Sequence, residues 1–377
     1  MLFDDLFTPC LLIDKQKLTD NINRMNQRSK KLGISFRPHV KTTKCIPIAL
    51  LINDGMIGPI TVSTLREAEY FADAGFRDII YAVSIVPSKL PRVNALLSRG
   101  VDLKLLIDDL GVAKALNNQN LNFTGKYRVL IEIDVDMHRA GKSPDDPAVI
   151  EIARILHEGQ HSEFSGVLTH AGESYTCHTE EDLINAAEDE RSLIVKAANN
   201  IRAKGIPCSI ISCGSTPTAT FAKNLNGVTE FRAGVYVFQD LFQSGRNVCE
   251  KDQLALSVLT TIISHKKNQN HIITDAGGMA LSKDQSTHDT DFDCGYGLVC
   301  DLNGKLIENL FVKGANQEHG IITTQDGTDL DYDKFFIGTK LRILPNHACM
   351  TAAAYDSYNV INQKENKIEK WSRCNGW

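Results

Sequence analysis

Residues 60–83, ITVSTLREAEYFADAGFRDIIYAV, hold the reading that decides the fold. ITVST is a short β-branched run, the middle carries helical spacing and closes on Gly75, and DIIYAV is a second β-branched run. Strand, helix and strand in that space make one βα unit, with the helix opening at Ser63, three residues before Arg66. Outward from it the alternation continues. FRPHVK (36–41) lies before it, and DLKLLID (102–108), YRVLIEID (127–134), EFSGVLTH (163–170), CSIISCG (208–214) and EFRAG (230–234) follow. Helical stretches fall between them, the longest being TEEDLINAAEDERSLIVKAANNIRAKG (179–205). Eight such units over roughly 230 residues predict an α/β fold with a (β/α)8 barrel.

From about Leu254 the texture changes. SVLTTIISHKK (257–267), HIITDAGG (271–278), FFIGTKLRILP (335–345) and YDSYNVIN (355–362) are strand-like runs separated by Gly, Asn and Asp turns. This predicts a C-terminal, mostly β domain. TPCLLIDK (8–15) precedes the first barrel helix and is free to pair with it, which gives a barrel over 15–245 and a β-rich domain of 1–14 with 246–377.

Composition narrows the partners. Of 377 residues 42% are apolar and 23% charged, so there is ample core to bury. Forty-one Lys and Arg against 46 Asp and Glu give a net charge of −5, which leaves no electrostatic footprint for nucleic acid or anionic lipid. A small molecule is the expected partner. The opening MLFDDLFTPC is acidic where a secretory signal is basic, and IPIALLI (46–52) is too short to span a bilayer, so a cytoplasmic protein without membrane contact is expected. Ten cysteines with no CxxC pair read as reduced thiols.

Barrel chemistry gathers at the C-terminal ends of the strands. Those ends hold Lys41, Ser63, Thr64, Asp108, His138 with Arg139, His170, Gly214, Ser215, Thr216, Gly234 and Tyr236. Any one of them serves equally as a solvated loop residue or a helix cap. The set says more. Lys41 ends an alternating strand and should point into the barrel mouth, where a lysine is paired, neutralised or used covalently, as in Schiff-base chemistry. CGSTPT (213–218) and EFRAGVY (230–236) supply glycine turns and hydroxyls after strands seven and eight, the usual phosphate position. A lysine after strand one and a phosphate cradle after strands seven and eight is the layout expected for pyridoxal phosphate (PLP). In LPNHACMT (344–351), His347 and Cys349 stand at i and i+2, which on an extended strand points both to one face; imidazole with thiolate suits Zn²⁺. From the residues alone, a buried cysteine beside a turn histidine is the commoner arrangement.

RPHVKTTK (37–44), EIDVDMHRAGK (132–142), THAGESY (169–175), CGSTPT, EFRAGVYVFQD (230–240), DAGGMALSKD (275–284), NQEHG (316–320) and LPNHACMTAAAYD (344–356), in this order, resemble the D-serine dehydratase and D-threonine aldolase family of PLP enzymes. That family has the alanine-racemase-like fold type III, and the resemblance runs from about residue 5 to 360. It implies that Lys41 forms the Schiff base with PLP, that Arg139 partners the pyridine nitrogen, and that Gly214, Ser215, Thr216, Gly234 and Tyr236 surround the phosphate. His170 and Tyr175 are implied as acid/base or cofactor-contacting groups, and His347 with Cys349 as ligands of Zn²⁺, with Mn²⁺ the alternative metal. Glu318 and His319 orient metal, substrate or a neighbouring subunit. A homodimer is also implied, the β domain of one subunit covering the barrel mouth of the other.

The activity implied is a lyase that takes a 3-hydroxy-D-amino acid to a 2-oxo acid and ammonia. Family aldolases resemble an HxD metal pair where this chain has Cys349, which favours elimination over retro-aldol cleavage. A racemase would need a second base and no HxC pair, and a non-catalytic PLP-homeostasis protein would be a lone barrel. His157, His161, His178, His265, His271 and His288 match no motif and read as surface or structural.

Overall fold

The β-branched runs of the first two thirds form the parallel strands they predict, in a computed structural model that describes residues 3–118, 125–137, 139–290 and 292–377. After β1 (Cys10–Asp14) come β2 (Ser35–Pro38), β3 (Ile60–Val62), β4 (Asp78–Ser84), β5 (Asp102–Ile107), β6 (Tyr127–Ile133), β7 (Ser162–Thr169), β8 (Ile210–Cys213) and β9 (Glu230–Ala233). β2 to β9 make an eight-stranded sheet in the order β2-β9-β8-β7-β6-β5-β4-β3. A parallel bridge between His39 and Thr61, with Val40 N–H donating to the Thr61 carbonyl at 2.9 Å, joins the two ends. The barrel is thus nearly closed. Ile80, Leu106, Leu130 and Leu168, one from each of four neighbouring strands, form an apolar cluster, while Arg37 is paired to Glu230 and Asp78 at 2.9 Å.

The helix after β3 runs Leu65–Asp73 and is capped by Thr64, whose hydroxyl accepts from the Glu67 amide, so the cap lies one residue beyond the expected Ser63. Glu67 explains this by accepting the Ser63 amide at 3.0 Å, which fixes Ser63 outside the helix. The long helix is Glu180–Arg202, entered through a capping box of Thr179 and Asp182. Its buried stripe is Leu183, Ala187, Glu190, Ile194, Ala197, Ala198 and Ile201. A glutamate on that stripe is the exception.

The remaining strands are β10 (Leu256–Lys266), β11 (His271–Thr274), β12 (Gly297–Cys300), β13 (Leu306–Ala315), β14 (Gly320–Thr324), β15 (Lys340–Pro345), β16 (Ser357–Asn362) and β17 (Lys367–Ser372). With β1 they form a nine-stranded, mostly antiparallel sheet in the order β11-β14-β13-β12-β15-β10-β1-β16-β17. β1 pairs antiparallel with β10 and parallel with β16, which draws the chain's first strand into the C-terminal sheet. Phe3, Leu12, Leu259 and Ile361 pack on it as one core.

The chain divides into two compact units, Arg24–Gly234 with Cys374–Trp377, and Met1–Asn23 with Val235–Arg373. Residues 235–245 belong to the second because Asn21 donates to the Val237 carbonyl, Ala255 N–H to the Phe238 carbonyl, and the Phe238 ring meets Tyr358 at 5.5 Å. Among the described residues no helix is long and apolar enough to cross a membrane, and all ten cysteines are free thiols.

Candidate active site

Strand β2 ends at Pro38, so Lys41 does not end a strand. It is exposed on a turn over residues 40–43, which the Lys44 amide closes by donating to the Val40 carbonyl. The turn is firmly held. His39 N–H donates to Ala233 O at 2.8 Å, Val40 N–H to Thr61 O, and Lys44 N–H to Val40 O at 2.7 Å. A Cβ on Gly234 would meet His39 O at 2.9 Å and Thr42 Oγ1 at 3.2 Å, so only glycine lets this turn sit against the end of β9.

Two histidines share the charge of this end of the barrel. Burial, then the Lys41, Arg139 and Arg232 charges, push His170 down to about 3. His39 is pushed well below its usual range by burial, then by Lys41, Arg232 and His170. Both imidazoles are therefore neutral near pH 7. His170 Nδ1 lies 3.4 Å from the Gly214 carbonyl, which can only accept, so Nδ1 carries the proton and Nε2 keeps a lone pair. The Tyr175 ring lies 5.9 Å from the His170 ring. Arg139 reaches Glu132 Oε1 at 3.4 Å, and Glu132 also accepts from Ser84 at 3.3 Å. Asp108 accepts the Gly141 amide at 2.9 Å and so closes the Arg139 loop rather than facing a ligand. His138 lies outside the described residues.

The loops after β7 and β8 are fastened to each other. Ser174 and Ser215 hydroxyls meet at 3.0 Å, and Ser215 caps the helix Thr216–Phe221. Gly214 has φ +123°, and a Cβ there would stand 2.3 Å from the Arg232 carbonyl. Glu190, on the long helix, accepts from the Ala171 amide at 3.0 Å and the Gly214 amide at 2.9 Å. No motif reading found Glu190; the signal was a carboxylate on an apolar helical stripe.

In the β-rich unit His347 and Cys349 do come together, although not on a strand. β15 stops at Pro345, His347 caps the helix Ala348–Ala352, and Cys349 lies in that helix, because Pro345 and Asn346 turn the chain out of the sheet. Burial alone would lower the His347 imidazole; hydrogen bonds to Asp284 and Cys349 overcome it and raise it to about 11. Asp284 Oδ2 lies 2.8 Å from His347 Nδ1, which leaves Nε2 as the other ring nitrogen. Asp240 fastens the turn between the two, Oδ2 accepting the Ala348 amide and Oδ1 the Gln243 amide, both at 2.9 Å. Asp240 and Asp284 were quoted in motifs without a role. Among the described residues no set of three or more His, Cys, Asp or Glu is arranged to hold a metal.

Tyr236, whose phenol burial pushes up, lies in the short turn Val235–Val237 of this unit. Glu318 and His319 are exposed on the loop before β14. That loop lies against DAGGMALSKD, with Gly278 N–H donating to Asn316 O at 2.6 Å and Met279 N–H to Gln317 O at 3.0 Å. His265 and His288 have structural partners, the Phe335 carbonyl at 2.7 Å and Asp293 at 2.9 Å.

A parallel barrel with a lysine turn, neutral histidines and a capped helix start after β8, continued by an antiparallel β domain with a histidine–cysteine pair, defines a recognisable class. The chain belongs to the alanine racemase N-terminal domain family, whose model matches residues 13–241; residues 255–361 match the model described as "Putative serine dehydratase domain". It is 46% identical to the D-threo-3-hydroxyaspartate dehydratase of Delftia sp. (strain HT23), over 99% of this chain and 98% of that one. The solved structure of the Delftia enzyme superposes with a TM-score of 0.96, covering 99% of both chains. Solved variants of it include a cysteine-to-alanine form that is metal-free and a histidine-to-alanine form, the two positions two residues apart. The D-serine dehydratase of Dictyostelium discoideum is 32% identical over 99% of this chain and 98% of its own. The D-threonine aldolase of an Arthrobacter species is 27% identical over 94% of this chain and 89% of its own.

Proposed function

We propose that this protein is a PLP- and zinc-dependent lyase that dehydrates a 3-hydroxy-D-amino acid of the D-threo-3-hydroxyaspartate or D-serine type to a 2-oxo acid and ammonia. The observation that carries this is the His347–Cys349 pair, buttressed by Asp284, in a chain 46% identical to a dehydratase with variants at a histidine and a cysteine of the same spacing.

The residues fit both groups. Lys41, Arg139 and Arg232 bring three cations to the barrel end beside two neutral histidines, a setting that suits a phosphorylated aldehyde. A carboxylate on Nδ1 is the usual device for presenting Nε2 to a metal, and a thiol beside it completes a borderline-soft pair. When bound, PLP supplies an electron sink for the bond broken at Cα, and zinc a Lewis acid at the β-hydroxyl. Lys41 offers the amine that holds the cofactor aldehyde and, once displaced, a base for the Cα proton. Arg139, kept in place by Glu132, would partner the ring nitrogen and disfavour its protonation. Ser215, Thr216, Gly214 and Gly234 would surround the phosphate, with Tyr175 and His170 at the mouth, and Tyr236 would be a further cofactor contact. His170 is neutral with a lone pair on Nε2, which suits it to accept a hydrogen bond and disfavours full protonation. His347 and Cys349 hold the metal.

Retro-aldol cleavage is the second reading, favoured by the aldolase relative. Free thiols at all ten cysteines support a reducing compartment such as the cytoplasm, and a homodimer is the proposed assembly. The test is to give the PLP- and zinc-loaded protein D-threo-3-hydroxyaspartate, D-serine and D-threonine. The expected result is 2-oxo acid with ammonia; glycine with an aldehyde would establish the aldolase reading instead.

A further inference from the structure

We infer that Glu190 is a positioning residue for the cofactor phosphate, acting as a buried strap between the loop after β7 and the loop after β8; this rests on the PLP reading above. Glu190 comes from the middle of the helix Glu180–Arg202 and is 2% exposed. Its Oε1 accepts two backbone amides that no strand ladder uses, Ala171 N–H at 3.0 Å and Gly214 N–H at 2.9 Å. A hydrogen bond with the Thr218 side chain adds a third point of attachment. The Ala171 loop carries His170, Ser174 and Tyr175, and the Gly214 loop carries Ser215 and Thr216.

A carboxylate placed on an apolar stripe costs desolvation, and burial raises the Glu190 pKa against the pull of those three hydrogen bonds and the Arg232 charge. Packing alone would have been served by leucine. What the carboxylate does that leucine cannot is hold two loop amides at one oxygen. It also decides which donors are left for a phosphate. The Gly214 amide is committed to Glu190, and the Ser215 amide to Thr218 Oγ1 at 2.9 Å. Gly214 therefore contributes by its backbone conformation and its close approach to the Arg232 carbonyl, not as a phosphate donor. Without the strap the Ala171 and Gly214 amides lose their shared acceptor, and the two loops that carry the cradle lose their shape.

The test compares wild type with Glu190→Ala and Glu190→Gln in cofactor-free protein, by titration with PLP and with pyridoxal, which lacks the phosphate. Glutamine keeps the accepting oxygen and is expected to hold PLP as wild type does. Glu190→Ala is expected to lose PLP affinity on the order of tenfold or more, with pyridoxal affinity little changed, because the loss falls on the phosphate loop. Should Glu190→Ala fail to fold, Glu190→Asp, one methylene too short to reach all its partners, makes the same comparison. Wild-type PLP affinity in Glu190→Ala or Glu190→Asp, or an equal loss for pyridoxal, overturns the inference. A wild-type protein that binds no PLP overturns the cofactor reading itself and the inference with it.

Discussion

Asp284 Oδ2 stands 2.8 Å from His347 Nδ1, and this contact orients the imidazole of the histidine–cysteine pair proposed to hold the metal. The aspartate selects the ring nitrogen that faces it and so presents the other. Asp240, bonded to the Ala348 amide between the two donors, fixes the backbone that carries them.

Replacing Asp284 with Asn should weaken zinc binding by roughly tenfold to a hundredfold, since removing the carboxylate behind a ligand histidine typically costs that much. Cys349→Ala, which removes a donor, should lose more. Competition titration against a chromophoric chelator measures both, and an Asp284→Asn variant with wild-type zinc affinity would reduce the carboxylate to a fold contact.

Borohydride added to the PLP-loaded protein should fix the cofactor onto Lys41, located by peptide mapping. Lys41→Ala should abolish turnover with little change in thermal midpoint, because the residue is exposed and leaves no core cavity. An adduct on another lysine would move the cofactor site.

Gly214→Ala places a methyl against the Arg232 carbonyl at φ +123°, and should destabilise the protein by about 1–3 kcal/mol. Urea unfolding of the cofactor-free chain reads this directly. No change in midpoint would mean that the loop relaxes at no cost.

Stability of the cofactor-free protein should fall as the medium is acidified. His170 stays neutral in the folded chain down to about 3, while in the unfolded chain it takes up its proton below its ordinary 6.5. Between those values the unfolded state binds more protons, so His170 lowers stability as pH drops through that window and contributes no pH dependence above it. His170→Gln should flatten the dependence of the urea midpoint on pH over this range; an unchanged slope would contradict the buried, neutral histidine.

The barrel was legible because most of its strands are apolar runs ended by a polar or glycine turn, as in YRVLIEID and EFSGVLTH. β12, β13, β14 and β17 were not, since LIENLFVKGA and KIEKWS carry the Asn, Lys and Glu of exposed or edge positions and lack a clean alternation. Lys41 was expected at a strand end and lies on a turn, because β2 stops at Pro38, three residues before the alternating pattern would. The HxC pair was found for a related reason and misplaced in a related way: Pro345 and Asn346 turn the chain before the histidine. Glu190, Asp240 and Asp284 act across 19 to 108 residues of sequence, and such contacts leave no local period to read.

The most direct test of the central claim is chelation of the PLP-loaded protein with D-threo-3-hydroxyaspartate as substrate, following 2-oxo acid and ammonia while PLP content is checked by absorbance. Hydroxide is a poor leaving group, so elimination should fall on the order of a thousandfold with PLP still bound, and added Zn²⁺ should restore it. Undiminished elimination in protein shown to be free of metal would contradict the account.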